Sequence, residues 1–345
     1  MKKTDNLKYM SASSYSDMNR ANVYWQPNRY CNYECSYCWP TAHTKVKDFV
    51  DKDLAFKTID RAVELFESRG VTGINWGWSG GEATFHPNFL DFQERILSHA
   101  SDTLIMTFNI TTNLSHNLSW WKKFRDVIEP YKFATVTCSL HQEYVDTPAK
   151  IDKFIEKLEF LEENDINVVV NQVMDPDIFD DQLKVLEKFY EKNFTVSPKI
   201  NSALHKSYIK WSGETIYTDD QLKIMNESHG ERKTSSAPGL VTVKDKNDNI
   251  MHYSHFEQIK NDELWDLADW ICSVGYLSIA IEGNIVKRGV GGCHQQYLGK
   301  LDEDWQLYDE PKLCGVVNGL CTCVADLKMP KWNPKHASES EWKKT

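Results

Sequence analysis

No apolar run in this 345-residue chain approaches the roughly 18 residues that a bilayer crossing needs. The N-terminus, Met1–Ser16, places no hydrophobic stretch after Lys2 and Lys3, so no secretory leader is expected. Basic excess is also missing. Lys plus Arg is 40 against 50 for Asp plus Glu, a formal net charge of −10. Nucleic-acid binding needs a basic surface that releases counterions, and docking on an anionic membrane needs the same sign, so both are excluded as leading readings. There is no internal repeat and no low-complexity segment. The absences together describe a cytoplasmic protein. Its length suggests about two domains, or one large α/β barrel with a smaller partner.

An even, paired cysteine set is missing as well. There are nine cysteines, and clustered thiols in a cytoplasmic chain point to metal rather than disulfides. Cys31, Cys35 and Cys38 form one group; Cys272, Cys293, Cys314, Cys321 and Cys323 lie near the end; Cys138 stands alone and reads as a small buried hydrophobe.

What is present is an alternation of strand-type and helix-type segments. Strands are expected at Asn22–Asn28, Gly73–Ser79, Leu104–Thr111, Phe133–Leu140, Asn167–Met174 and Thr195–Asn201. Amphipathic helices are expected between them at Leu54–Arg69, Pro87–Ala100, Trp120–Glu129, Ile151–Asn164 and Phe179–Lys192. Such a succession implies a parallel sheet, either doubly wound or a whole or partial βα barrel, with chemistry at the C-terminal strand ends. Val241–Lys244 and Ile250–Tyr253 read as a hairpin around Asp245–Asn249, and the region from 265 onward as a small metal-tied unit.

The first thiol group has the spacing C-x3-C-x2-C and follows the first strand. Thiolates suit iron–sulfur clusters or zinc. A cube normally takes four cysteines, so three leave one iron open, as catalysis requires; a zinc with a distant fourth ligand is the alternative. After the second strand comes Ser79-Gly80-Gly81-Glu82, in which two glycines permit close backbone approach and the carboxylate can accept from an ammonium.

Cys31, Cys35, Tyr37 and Cys38, taken with Ser79-Gly80-Gly81-Glu82, resemble the radical S-adenosylmethionine (SAM) enzymes over about residues 21–202. The resemblance implies a partial (β/α)6 barrel of the TIM type with a catalytic [4Fe–4S] cluster at its mouth, and SAM chelating the open iron. It implies Tyr37 beside the adenine and the Gly-Gly-Glu turn at the amino group of the methionine moiety. One electron from the cluster would cleave SAM to methionine and a 5′-deoxyadenosyl radical that abstracts a substrate hydrogen. An electron donor such as flavodoxin or ferredoxin is implied with it. The later strand ends carry Thr112-Asn113, Ser139-Leu140-His141, Asn171-Gln172 and Lys199. Asn113, Ser139 and Asn171 are carried over as SAM contacts; turn formation or helix capping is the competing reading of Asn113 and Ser139. His141 reads as structural or as a substrate ligand, Lys199 as solvated, and Glu143 and Asp146 as surface charges. Trp25, Trp39, Trp76 and Trp78 gather near the mouth as pocket wall or core, core accounting for at least two of them.

From Cys272 through a Gly283-Asn284 turn to Cys293 the chain resembles the opening of the auxiliary-cluster domains called SPASM and, in their shorter form, twitch. Cys314, Cys321 and Cys323 would complete a second [4Fe–4S] cluster, with one of the five thiols spare; the C-x6-C-x-C spacing departs from the C-x2-C expected there, and a zinc ribbon is the alternative. The expected organisation is therefore an N-terminal extension (1–20), the barrel (21–202), a connecting segment (203–264), a twitch-like unit (265–330) and a tail (331–345). The expected substrate is small and polar, a sugar, aminocyclitol or nucleotide, because about 20 residues before the barrel leave no room for a peptide-recognition domain and the acidic charge disfavours tRNA. The competing readings are a peptide maturase that crosslinks or epimerises, and a non-catalytic, metal-stabilised binding protein.

Overall fold

The computed structural model describes residues 2–12, 20–38, 43–131, 133–201, 216–227, 241–253, 259, 262–290, 297–314, 320–321 and 324–337. Strand β1 (Leu7–Ser11) precedes β2 (Arg20–Gln26), and from there strand and helix alternate as the periodicity predicts. The succession is α1 (Lys52–Glu67), β3 (Gly73–Trp78), α2 (Phe89–Leu97), β4 (Ile105–Thr112), α3 (Leu118–Ile128), β5 (Ala134–Ser139), α4 (Pro148–Glu162), β6 (Asn167–Met174), α5 (Phe179–Glu191) and β7 (Val196–Ile200). Helix starts carry their own signals: Asp51 accepts from the amides of Asp53 and Leu54, and Thr147 caps α4 just before Pro148. β2 to β7 pair in parallel and in chain order, the partial TIM-like α/β barrel expected from the sequence.

Period-two alternation sorts each barrel strand into two faces. One face buries Ala21, Val23 and Trp25; Ile74, Trp76 and Trp78; Met106, Phe108 and Ile110; and Val136 and Cys138. It packs on the helices: Trp25 stacks on Phe92 of α2 at 6.1 Å between ring centroids, and Phe108 meets Phe124 of α3 edge-on. Trp25 and Trp78 stack at 5.4 Å. Trp25, Trp76 and Trp78 are therefore core and do not wall a pocket; Trp39 lies outside the described residues. The opposite face is polar, and its lower row is cross-bonded. Asn75 Nδ2 donates to Asn22 Oδ1 and Thr107 Oγ1 donates to Asn75 Oδ1, both at 3.0 Å.

Beyond the barrel come α6 (Asp219–Glu227), β8 (Val241–Asp245), β9 (Ile250–Tyr253), β10 (Ile271–Cys272), β11 (Ser278–Glu282), β12 (Ile285–Lys287), β13 (Tyr297–Lys300), β14 (Lys312–Leu313) and β15 (Lys331–Trp332). β8 and β9 form the expected hairpin. The hairpin of β11 and β12 follows Cys272, and β11 lies parallel to β2, so the barrel sheet continues as β13-β12-β11-β2-β3-β4-β5-β6-β7. A second sheet runs β14-β10-β15-β1-β8-β9. It joins strands from the first and the last parts of the chain. Among the described residues no helix is long and apolar enough to cross a membrane.

Candidate active site

The three clustered thiols follow β2 on a loop whose base is closed by backbone bonds. Thr44 N–H donates to Arg29 O at 2.7 Å, and Cys31 N–H donates to Thr44 O at 3.2 Å. Lys45 Nζ donates to the carbonyl oxygens of Cys31 and Tyr33, which draws the loop together. Several polar groups already face sulfur. Tyr33 N–H points at Cys31 Sγ (3.4 Å), Asn113 Nδ2 lies 3.9 Å from the same sulfur, and His43 Nδ1 lies 3.1 Å from Cys38 Sγ.

The thiols are electrostatically coupled to one another, and burial is the main cause that pushes the Cys31 thiol up and that of Cys35 up to about 12. A thiol so placed becomes a thiolate when a metal replaces its proton. Among the described residues no three His, Cys, Asp or Glu side chains converge on a single-ion site. Three soft sulfur donors on one short loop suit an iron–sulfur cube with one iron left open.

The Gly-Gly-Glu turn is stitched to that loop. Gly81 N–H donates to Asn28 O at 3.3 Å and Glu82 N–H to Tyr30 O at 2.7 Å. Gly80 has φ +120°, and a Cβ there would stand 2.5 Å from Asn28 O; a Cβ on Gly81 would overlap the carbonyl oxygens of Arg29 and Tyr30. The close approach that these glycines permit is thus to the loop backbone itself. Glu82 is buried, and its carboxylate accepts from Thr84 Oγ1 and Asn113 N, both at 2.6 Å. It thereby ties the end of β3 to the end of β4, and burial raises its pKa.

The turn after β5 clasps the thiol loop from the other side. His141 Nδ1 lies 3.2 Å from Cys35 Sγ and 2.6 Å from the hydroxyl of Tyr37, whose ring stacks on it. Ser36 N–H and Oγ both donate to Glu143. Tyr144 stacks on Tyr33 at 4.0 Å and accepts from Glu34 N–H at 2.6 Å. Glu143 is exposed, as read from the sequence, and in addition supports the loop; Asp146 is a surface charge too, paired with exposed Lys150. Tyr144 escaped the sequence reading because its partners lie about a hundred residues away; the signal within reach was the polar Gln142-Glu143-Tyr144 run directly after a strand end.

Asn113 belongs to the group: its side chain donates to Asn32 Oδ1 at 2.8 Å. Ser79 N–H donates to Trp25 O beside the turn. Ser139 and Asn171 face each other across β5 and β6, half-buried. Lys199 is exposed, and Cys138 is fully buried, as expected. In the C-terminal set, Cys272 and Cys321 are buried and Cys314 half-buried, and both Cys272 and Cys314 act electrostatically on Cys321. Cys293 and Cys323 lie outside the described residues.

Thiol loop, Gly-Gly-Glu turn and partial barrel define one class of protein. A family model described as the radical SAM superfamily matches residues 25–197, slightly more than half of the 345 residues, and the chain belongs to that superfamily. It is accordingly an enzyme of a class that uses a [4Fe–4S] cluster and SAM. Among solved structures it is similar to hexahistidine-tagged anSMEcpe with bound AdoMet (SAM). The TM-score is 0.54 at 15% identity, covering 82% of this chain and 78% of that one. Native anSMEcpe with bound AdoMet and Kp18Cys peptide gives the same TM-score, 0.54, the same 15% identity and the same coverage of 82% and 78%. Coproporphyrinogen III oxidase (HemN) from Escherichia coli is more distant, with TM-score 0.41, 11% identity, and coverage of 80% of this chain and 67% of that one. Identities this low speak for the fold alone. A comparison with proteins of curated function gave no match.

Proposed function

We propose that this enzyme takes a hydrogen atom from a small polar molecule, such as a sugar, an aminocyclitol or a nucleotide, with its [4Fe–4S] cluster on Cys31, Cys35 and Cys38. When bound, the cluster and SAM supply one-electron cleavage of a sulfonium and so a carbon radical. The observation that carries the reading is the polar inner face of the barrel. Barrel centres are ordinarily filled by branched apolar side chains. Here the face presents Asn22, Asn75, Thr107, Asn109, Thr135, Thr137, Ser139 and Asn171, with Tyr24, Ile105, Val169 and Val173 among them. Amides and hydroxyls in that number favour a substrate rich in hydrogen-bonding groups.

On this reading Tyr37 lies against the adenine, Ser79, Gly80, Gly81 and Glu82 orient the methionine moiety, and Asn113, Ser139 and Asn171 bind its carboxylate and ribose. Cys272, Cys293, Cys314, Cys321 and Cys323 supply the ligands of an auxiliary [4Fe–4S] cluster, which accepts an electron or positions substrate. Flavodoxin or ferredoxin is the electron donor. A peptide side chain is the second reading, favoured by the fold neighbour that holds Kp18Cys peptide. The deciding experiment is anaerobic reconstitution with dithionite and SAM, followed by 5′-deoxyadenosine measurement over a panel of polar metabolites and of peptides. Stimulation by a metabolite is expected; stimulation by peptides alone overturns the small-molecule reading.

Glu82→Ala is expected to weaken SAM binding about ten- to a hundred-fold, or about 1.4–2.8 kcal/mol, with loop iron retained. Removing the carboxylate leaves the Asn113 amide and the Thr84 hydroxyl without an acceptor and releases the tie between β3 and β4. Unchanged affinity in a calorimetric titration would take Glu82 out of the site.

A further inference from the structure

Lys331 has 1% of its surface exposed. Its strand, β15, lies between β1 and β10, and the register sets Lys331 opposite Met10 on one side and Cys272 on the other. Directly opposed residues of an antiparallel pair share a face, with Cβ atoms about 4.5–5.5 Å apart. Its Nζ donates to the carbonyl oxygens of Asp326, Leu327 and Met329 at 2.8, 2.8 and 2.7 Å. Those bonds use every N–H of an ammonium group, and each acceptor is neutral. Among the described residues no carboxylate oxygen stands within the 4.0 Å of an ion pair with it. The nearby Asp326 carboxylate accepts instead from Val290 N–H at 3.0 Å.

A buried ammonium with no carboxylate in direct contact is costly, and interiors rarely keep one. Beside Lys331 lie the buried Asp326 carboxylate, which also acts on Cys321, and sulfur. Cys272 is its register partner, Cys321 is within its electrostatic reach, and Cys272 and Cys314 are within reach of Cys321. Backbone bonds hold two of the three: Cys314 N–H donates to Trp270 O at 2.7 Å and Cys321 N–H to Trp265 O at 2.8 Å. As thiols these groups offer the ammonium no compensation. As metal-bound thiolates they are anions.

We infer that Lys331 is the built-in counter-charge of the auxiliary cluster and raises its reduction potential. The inference rests on the reading of the C-terminal thiols as a cluster site. Taking up one electron adds one negative charge to the cluster, and a fixed cation beside it stabilises the reduced form more than the oxidised one. The cation thus suits a cluster that accepts an electron. Lys331 touches no reacting atom in this account; it is a positioning residue acting through charge.

The test uses the full chain with Cys31, Cys35 and Cys38 changed to Ala, so that iron loads only at the C-terminal thiols. In a dithionite titration followed by electron paramagnetic resonance, Lys331→Met is expected to cut the ratio of reduced to oxidised cluster about tenfold at a given potential. That is a midpoint lower by about 59 mV for one electron. Lys331→Arg should keep the parent value. Thermal unfolding supplies a second reading if the Met variant loads poorly. Loading with iron should raise the melting temperature less in the Met variant than in its parent, because the thiolates gained on loading then meet no ammonium, whereas the three lost carbonyl bonds weigh equally on the loaded and metal-free forms. A residue that only ties carbonyls together would lower both. An unchanged potential, or equal destabilisation of the two forms, overturns the inference. A parent chain that binds no iron at these thiols overturns the cluster reading itself, and the inference with it.

Discussion

Cys35→Ala, and equally Cys31→Ala or Cys38→Ala, is expected to remove about four irons per chain and bring SAM cleavage to background. On the proposed reading three thiolates hold a cube with one iron left for SAM, so the loop would have no spare ligand. His43, Asn113 and Tyr33 approach the sulfurs as hydrogen-bonding groups. His141 stands 3.2 Å from Cys35 Sγ but its Nδ1 is shared with the hydroxyl of Tyr37. Iron and sulfide analysis with 5′-deoxyadenosine quantification reads both effects. Full iron content and normal cleavage in Cys35→Ala would detach the loop from the chemistry.

Gly81→Ala is expected to cost about a hundred-fold in SAM cleavage even where iron still assembles, the scale set by a misplacement of about 1 Å. The new Cβ would overlap two backbone carbonyls, those of Arg29 and Tyr30, and a backbone cannot swing aside as a side chain can. Relief means parting the turn from the loop, which breaks the bond from Glu82 N–H to Tyr30 O. Overpacking of this kind costs about 1–3 kcal/mol of stability. Gly70→Ala is the control. Its φ is +74° with nothing within 4 Å of the added carbon, so only backbone strain of about 1–2 kcal/mol is expected, without effect on cleavage. Wild-type cleavage in Gly81→Ala would show that the loop and turn need not stay in register.

The barrel was legible in the sequence because its two periods are local. Ala21, Val23 and Trp25 alternate with Asn22 and Tyr24, and Ile59, Ala62, Val63 and Phe66 recur at helical spacing. Both motifs were legible because each is contiguous. What local pattern does not carry is pairing across the chain. Nothing around Leu7–Ser11 announces that it pairs with Lys331–Trp332, so a segment expected to be an extension supplies a strand between β8 and β15. The Tyr33–Tyr144 stack and the burial of Lys331 were hidden for the same reason.

The pairing of β1 with β15 and of β2 with β11 bears on how the chain is made. During synthesis the thiol loop leaves the ribosome early, while the strands that flank β1 and β2 come late. Until then both present bare edges, the kind of surface on which chains aggregate. Contacts so distant in sequence form slowly. Closure of both sheets is therefore a late, whole-chain event, and a chain halted before β11 would carry a complete thiol loop beside an open edge.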